Sequence, residues 1–172
     1  MISPFLTRPI NLPRQAPVSD PQRERLYKLE REIMGSSVYH VVSRSNLKVL
    51  ADHVCRYYRI AAIKITVVNQ PKVRELGWCI SYSYDGGAPF GFSIYLNRGF
   101  HGANATVLMH ELAHYIVDTT YMNHESHGKE FAGVYMHLLA KYRVLPSACF
   151  RLLAKKWRIK IAARFKPGAI RG

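Results

Sequence analysis

Apolar and polar positions along the chain follow two periods, and the switches between them predict the elements. From Ala103 to Met122 no Pro or Gly intervenes and apolar residues recur every three or four positions, which predicts one long helix. Leu108, Leu112 and Ile116, flanked by Val107, Ala113 and Val117, make it apolar around most of its circumference, so it belongs in the core. The same spacing returns in Leu26, Leu29 and Ile33, in Leu47, Leu50 and Val54 with Tyr57 or Tyr58, and in Phe131, Val134, Leu138 and Tyr142. These stripes predict helices from a Ser19 N-cap to a Gly35 stop, over 45–58, and from Ser126 or His127 to Tyr142; Gln22 completes a capping box on Ser19. Pro146 opens a last helix that reaches Trp157.

Alternation with a period of two marks Ile63–Val68, Trp78–Tyr84 and Phe90–Leu96 as strands, the last two joined as a hairpin through Asp85-Gly-Gly-Ala-Pro89. Val38–Val42 reads as a strand or a connector. Helices, then a small and mainly antiparallel sheet, then helices again is an α+β order. A chain of 172 residues makes one domain with extensions. Residues 19–157 carry the core, 158–172 form a basic tail, and 1–18 form an arm in which Pro4, Pro9, Pro13 and Pro17 exclude a helix.

Composition narrows the function classes. A hydrophobic content of 48% excludes a disordered chain. No apolar run approaches a membrane span and the first residues hold no apolar signal core, so the expected location is cytoplasmic, or packaged in a phage particle. Cys55, Cys79 and Cys149 are odd in number and scattered, which supports neither a disulfide framework nor a cysteine zinc site. The net charge of +14 lies at the ends. Residues 19–130 carry 13 Lys and Arg against all 11 acids, whereas 131–172 add ten bases and no acid. A near-neutral core with cationic extensions suits a polyanion, most simply nucleic acid held without sequence reading.

The buried helix contains His110-Glu111-Leu-Ala-His114. Residues i and i+4 share a helix face, so His110 and His114 can offer ring nitrogens to one ion while Glu111 lies beside it, the arrangement of a catalytic Zn2+ site with its own general base. A third ligand must come from elsewhere, and a His six residues after the second is excluded because Thr occupies position 120. His124, Glu125, His127 and Glu130 are the candidates. His127 is favoured, since a helix starting there puts it one turn before Phe131 on the inward face, with Gly128 allowing close helix approach. Asp118, four residues after His114, is a candidate to orient that ligand, and Tyr121 and Tyr135 are candidate donors to an oxyanion.

His-Glu-x-x-His followed by His127-Gly-Lys-Glu-Phe131 resembles the SprT-like metallopeptidases, the group of Spartan-type proteases that degrade proteins crosslinked to DNA. The strands with Gly77-Trp-Cys79 and Ile94-Tyr-Leu96 are similar to that group's compact core, and Asp20-Pro-Gln-Arg-Glu-Arg-Leu-Tyr27 is similar to small uncharacterised metallohydrolases of actinobacteria and their phages. The likeness covers roughly residues 20–145; the cysteine-rich zinc ribbon that follows the core in bacterial SprT proteins is absent from this sequence. It implies a compact zincin-like (minigluzincin) fold, zinc held by His110, His114 and His127, and peptide-bond hydrolysis in which the metal activates water and Glu111 moves its proton.

Two further features bear on partners. Phe90–Leu96 is expected at the edge of the cleft, where an extended peptide adds by β-pairing. Arg151, Lys155, Lys156, Arg158, Lys160 and Arg164, interleaved with Phe150, Trp157 and Phe165, are candidates for nucleic-acid contact, while Leu152, Leu153, Trp157 and Ile161 pack the same helix on the core. The expected function is therefore a zinc metalloprotease acting on protein or peptide near nucleic acid. The alternative is a nucleic-acid-associated or phage assembly protein that uses the zinc fold as scaffold and its terminal arms to bind a large assembly.

Overall fold

The computed structural model describes residues 20–35, 44–70, 76–82, 91–97, 103–121 and 124–162. In chain order these form α1 (Arg23–Gly35), α2 (Arg44–Tyr58), β1 (Lys64–Val68), β2 (Gly77–Tyr82), β3 (Gly91–Asn97), α3 (Ala105–Thr120), α4 (Lys129–Lys141) and α5 (Ser147–Lys156). The class is α+β. The arm 1–18, Ser19, the connector 38–42, the turn 85–89, and Arg164 and Phe165 with the rest of the tail beyond 162 lie outside the described residues.

The three strands are ordered β1-β3-β2, with β1 parallel and β2 antiparallel to β3, so the sheet is mixed rather than mainly antiparallel. Burial explains the order. β3 hides Ser93, Ile94, Leu96 and Asn97, whereas β1 and β2 are half-buried or exposed along their lengths, and the most buried strand takes the middle. β3 is thus flanked on both sides and cannot be the edge of a cleft, correcting that expectation; among the described residues the strand with an outer edge beside α3 is β2. Asn97 fixes the end of β3 to the exit of β1 by donating Nδ2–H to Gln70 O (3.0 Å) and accepting from Gln70 N–H (3.1 Å).

α3 lies at the centre, with Thr106–Ala113 and Tyr115–Val117 buried. The rings of Phe92 and Tyr115 meet at 4.5 Å between β3 and α3, and Tyr135 of α4 packs on Phe150 of α5 at 5.8 Å. Leu26, Leu29 and Ile33 bury α1 as its spacing requires, and each aliphatic side chain so hidden contributes about 1.5–3 kcal/mol. In α2 it is Tyr58 that turns inward, at 2% exposure, while Tyr57 remains 39% exposed.

Several details differ from the sequence pattern. α4 starts at Lys129, so His127 precedes the helix. Leu152 is 69% exposed, and the apolar face of α5 is built from Phe150 and Ala154 instead. The capping box of Gln22 on Ser19 involves a residue outside those described, but the Gln22 side chain has long-range partners. Its amide donates to His127 O (3.0 Å) and Lys160 O (3.4 Å) and accepts from the Lys160 amide, tying the start of α1 to two distant segments.

Candidate metal centre

The centre is assembled from α3, the turn after it, and α1. Asn104 caps α3 by accepting from Val107 N–H at 3.0 Å, which starts the helix so that His110, Glu111 and His114 fall in its buried middle. His110 Nε2 and His114 Nε2 come to 3.1 Å on one helix face. After α3 the chain doubles back through a turn closed by Gly128 N–H on Glu125 O (3.0 Å), and this turn carries His127 Nε2 to 3.3 Å from His110 Nε2. The turn needs glycine: a Cβ at Gly128 would lie 3.0 Å from Glu125 Cβ and 3.2 Å from its carbonyl oxygen. One ligand atom from each histidine lies within 4.8 Å of the others.

Two carboxylates on or beside α1 fix the imidazoles. Glu30 accepts from His110 Nδ1–H, and Asp20 accepts from His127 Nδ1–H at 2.5 Å. When both rings are neutral, with their protons at Nδ1, the Nε2 atoms of His110 and His127 present lone pairs to each other at 3.3 Å, and neither can hydrogen-bond the other. Such a contact is repulsive unless a cation lies between them. Tetrahedral zinc with N ligands at 2.0–2.1 Å sets its nitrogens roughly 3.3 Å apart, the spacing found here. The residues present therefore fit a metal ion, with a carboxylate behind each of two ligands as such sites require.

Beneath the three imidazoles lies Phe131, whose ring centroid is 4.9 Å from His110, 4.4 Å from His114 and 5.0 Å from His127. This apolar floor shapes the titration. Burial and the neighbouring His110 and His127 hold His114 well below the ordinary histidine value, and burial likewise lowers His127 against the pull of Asp20. Burial also lowers His110, but the charge and hydrogen bond of Glu30 outweigh it and leave His110 above the ordinary value.

Glu111 is 4% exposed, and burial pushes it up to about 7 against the opposing charge of His110. Its carboxylate accepts from the Cys79 amide of β2. The ladder register explains why that amide is available. Asn97 N–H bonds Leu76 O at 2.8 Å, so Leu76, Trp78 and Ile80 face β3 while Gly77, Cys79 and Ser81 turn their backbone groups to the outer edge. Gly77 lets β2 come this close, since a Cβ there would lie 2.8 Å from Val107 Cγ1 and 3.0 Å from Glu111 Oε1. Gly77→Ala is therefore expected to displace Glu111 or β2, costing about 1–3 kcal/mol in urea unfolding while the three histidines still take up metal in a titration.

A groove runs along the centre in two lobes. One, of about 500 Å³, has Met34, Leu76 and Val107 on its floor and Lys28 and Arg31 on its rim. The other, of about 390 Å³, passes Trp78, Cys79, His114, Asp118 and His124. Arg23, Tyr27, Gly77, His110 and Glu111 line both.

Of the residues singled out by the sequence, His110, Glu111, His114 and His127 meet at this point. Asp118 is in the groove but pairs with His124 Nε2 at 3.1 Å, and the orienting role falls to Glu30 and Asp20. Tyr135 is wholly buried, with its hydroxyl on Thr106 O (3.5 Å) and on Glu30, so it faces the protein rather than the groove. Tyr121 is the C-terminal cap of α3 and half-buried. Among the other third-ligand candidates, Glu125 is exposed and Glu130 pairs with Lys129 at 3.7 Å. Arg151, Lys155, Lys156, Arg158 and Lys160 are all exposed. Lys156 Nζ bonds Glu32 (2.7 Å), and Trp157 lies within 5.5 Å of Lys28 Nζ, which brings this basic surface to the groove rim.

Asp20, Arg23, Tyr27 and Glu30 were not legible as site residues from a motif. One signal did exist: Glu30 falls between Leu29 and Ile33 on the buried side of α1, and an acid inside an apolar stripe needs a partner. Comparison with known proteins finds no matching family model, curated protein or solved structure, so the reading of this centre rests on its geometry.

Proposed function

We propose that the chain is a zinc-dependent metallopeptidase of the SprT-like type with a compact zincin-like fold. The observation that carries this reading is the convergence of three imidazole nitrogens beside a buried glutamate that binding a metal does not require. A donor set of three neutral imidazoles suits zinc among the common divalent metals. When bound, the zinc would polarise the scissile carbonyl and acidify water.

The chain's own groups divide the remaining work. His110, His114 and His127 hold the ion, and Glu30 and Asp20 keep the Nδ1 protons of two of them in place. An extended peptide pairs with the outer backbone groups of Gly77 and Ser81 and with the Cys79 carbonyl, beside the Cys79 N–H that holds Glu111. Glu111 takes one proton from the attacking water as its oxygen bonds to the carbonyl carbon. It returns that proton to the amine nitrogen as the C–N bond breaks, leaving a carboxylic acid and an amine. The basic surface of α5, joined to the groove rim through Trp157 and Lys28, supports action near nucleic acid.

The test combines elemental analysis of the purified protein with cleavage of a disordered protein substrate, with and without single- and double-stranded DNA. One zinc per chain with cleavage, stimulated by DNA, is expected. Zinc without cleavage under any condition would replace the peptidase by the assembly-protein reading, in which the metal is scaffold only.

A further inference from the structure

Amide hydrolysis places negative charge on the carbonyl oxygen as its carbon becomes tetrahedral, and a hydrogen-bond donor aimed at that oxygen lowers the barrier. The tyrosines suggested by the sequence do not serve. Tyr135 is sealed in the core, and Tyr121 does not line either lobe of the groove. Among the described residues that line both lobes, His110 is committed to the metal and Glu111 to the proton, leaving Arg23 and Tyr27 as the side chains able to donate there.

Resting on the peptidase reading, we infer that Tyr27, held by Arg23, is the donor that stabilises the developing oxyanion. The ring of Tyr27 sits edge-on to His127, with centroids 5.7 Å apart at 72°, and lies 6.0 Å from His110 at 30°. It is thereby fixed against two of the three ligands while 37% exposed to the groove. Its hydroxyl oxygen accepts from Arg23 Nε at 3.3 Å, and the guanidinium carbon lies 5.5 Å from its ring centroid. A phenol that accepts from a cation keeps its own proton for donation, and the accepted bond strengthens the donated one. Arg23 and Tyr27 stand one helical turn apart on α1, which Leu26, Leu29 and Ile33 anchor rigidly in the core. The donor thus rides on a helix wall of the groove, while the base is held from β2. Tyr27 and Glu111 thus line the same groove from different elements.

The test compares a tetrahedral phosphinic peptide with its planar amide parent, both bound to zinc-loaded Glu111→Gln protein so that no turnover occurs. Calorimetry is run with and without Tyr27→Phe. Adding Tyr27→Phe is expected to weaken the phosphinic peptide on the order of 10²-fold and leave the planar peptide and the zinc content unchanged. In the otherwise wild-type chain, the same change is expected to lower kcat with KM unchanged. Arg23→Gln, which leaves the phenol in place, is expected to act in the same direction by a smaller factor. Equal weakening of both peptides, or none, would overturn the donor role while leaving the peptidase intact. Wild-type protein that neither cleaves peptides nor binds the phosphinic peptide would overturn the underlying peptidase reading as well.

Discussion

Glu111→Gln is expected to reduce peptide cleavage by on the order of 10²–10⁴-fold while leaving bound zinc unchanged, because the substitution removes a general base that is not itself a ligand. Steady-state kinetics and elemental analysis on the same preparation check this. The same variant carries a second, opposite signature in the metal-free protein. Burial raises Glu111 from the ordinary 4.5 to about 7, so between these values the folded state binds more protons than the unfolded state. Stability then falls as pH rises through this window, and above it the fold carries the full cost of an ionised buried carboxylate. Gln carries no such charge. Metal-free Glu111→Gln is therefore expected to melt several degrees above wild type at pH 8 and close to it at pH 5. That outcome would fit the peptidase reading, in which Glu111 serves chemistry at the expense of stability.

Removing a ligand is the second large effect. His127→Ala is expected to abolish stoichiometric zinc binding, since two imidazoles four residues apart leave the site short of the three protein ligands a catalytic zinc takes. Asp20→Asn and Glu30→Gln leave the ligands in place and are each expected to weaken binding by about 10–100-fold. Competition against a chromogenic chelator measures both. The pH dependence has a definite sign. His114 and His127 are held below the ordinary histidine value, whereas His110 is held above it by Glu30 and so keeps a proton to higher pH than an ordinary histidine in the metal-free protein. Zinc must displace that proton, so its affinity is expected to rise with pH through neutrality, with protons released into the buffer. In Glu30→Gln the release is expected to shrink, because the carboxylate that held the proton on His110 has gone.

The parts of this architecture that follow local rules were legible in the sequence. Period, with the Gly35 stop and the Pro146 start, places α1, α2, α3 and α5 to within a few residues, and His-Glu-x-x-His places His110, Glu111 and His114 on one buried helix. His127 was reached by a helix argument, although the helix begins only at Lys129; a tight turn at Gly128 delivers the same side chain. What periodicity could not give is position across the chain. The order β1-β3-β2 depends on which strand is most buried, and that is settled by packing rather than by alternation. Asp20 and Glu30 have no motif of their own, and the position of Glu30 within the apolar stripe says only that it needs a partner, not which one, until α1 is laid against α3. Leu152 satisfies the apolar spacing of α5 but is left outside, because Phe150 and Ala154 already occupy the contact.

Gln22 bonds the backbone at His127 and at Lys160, Arg25 Nη1 donates to Arg158 O at 2.8 Å, and Ala162 N–H closes on Lys129 O at 2.9 Å. The start of α1, the ligand-bearing turn and the segment after α5 are therefore one knot of contacts, separated by up to 138 positions in sequence. During synthesis the amino-terminal helix leaves the ribosome long before its partners exist, and such distant closures form late. The metal centre gains its full support only once Lys160 has been added, so a nascent chain has both motif histidines and the glutamate in hand well before it has a rigid site in which to use them.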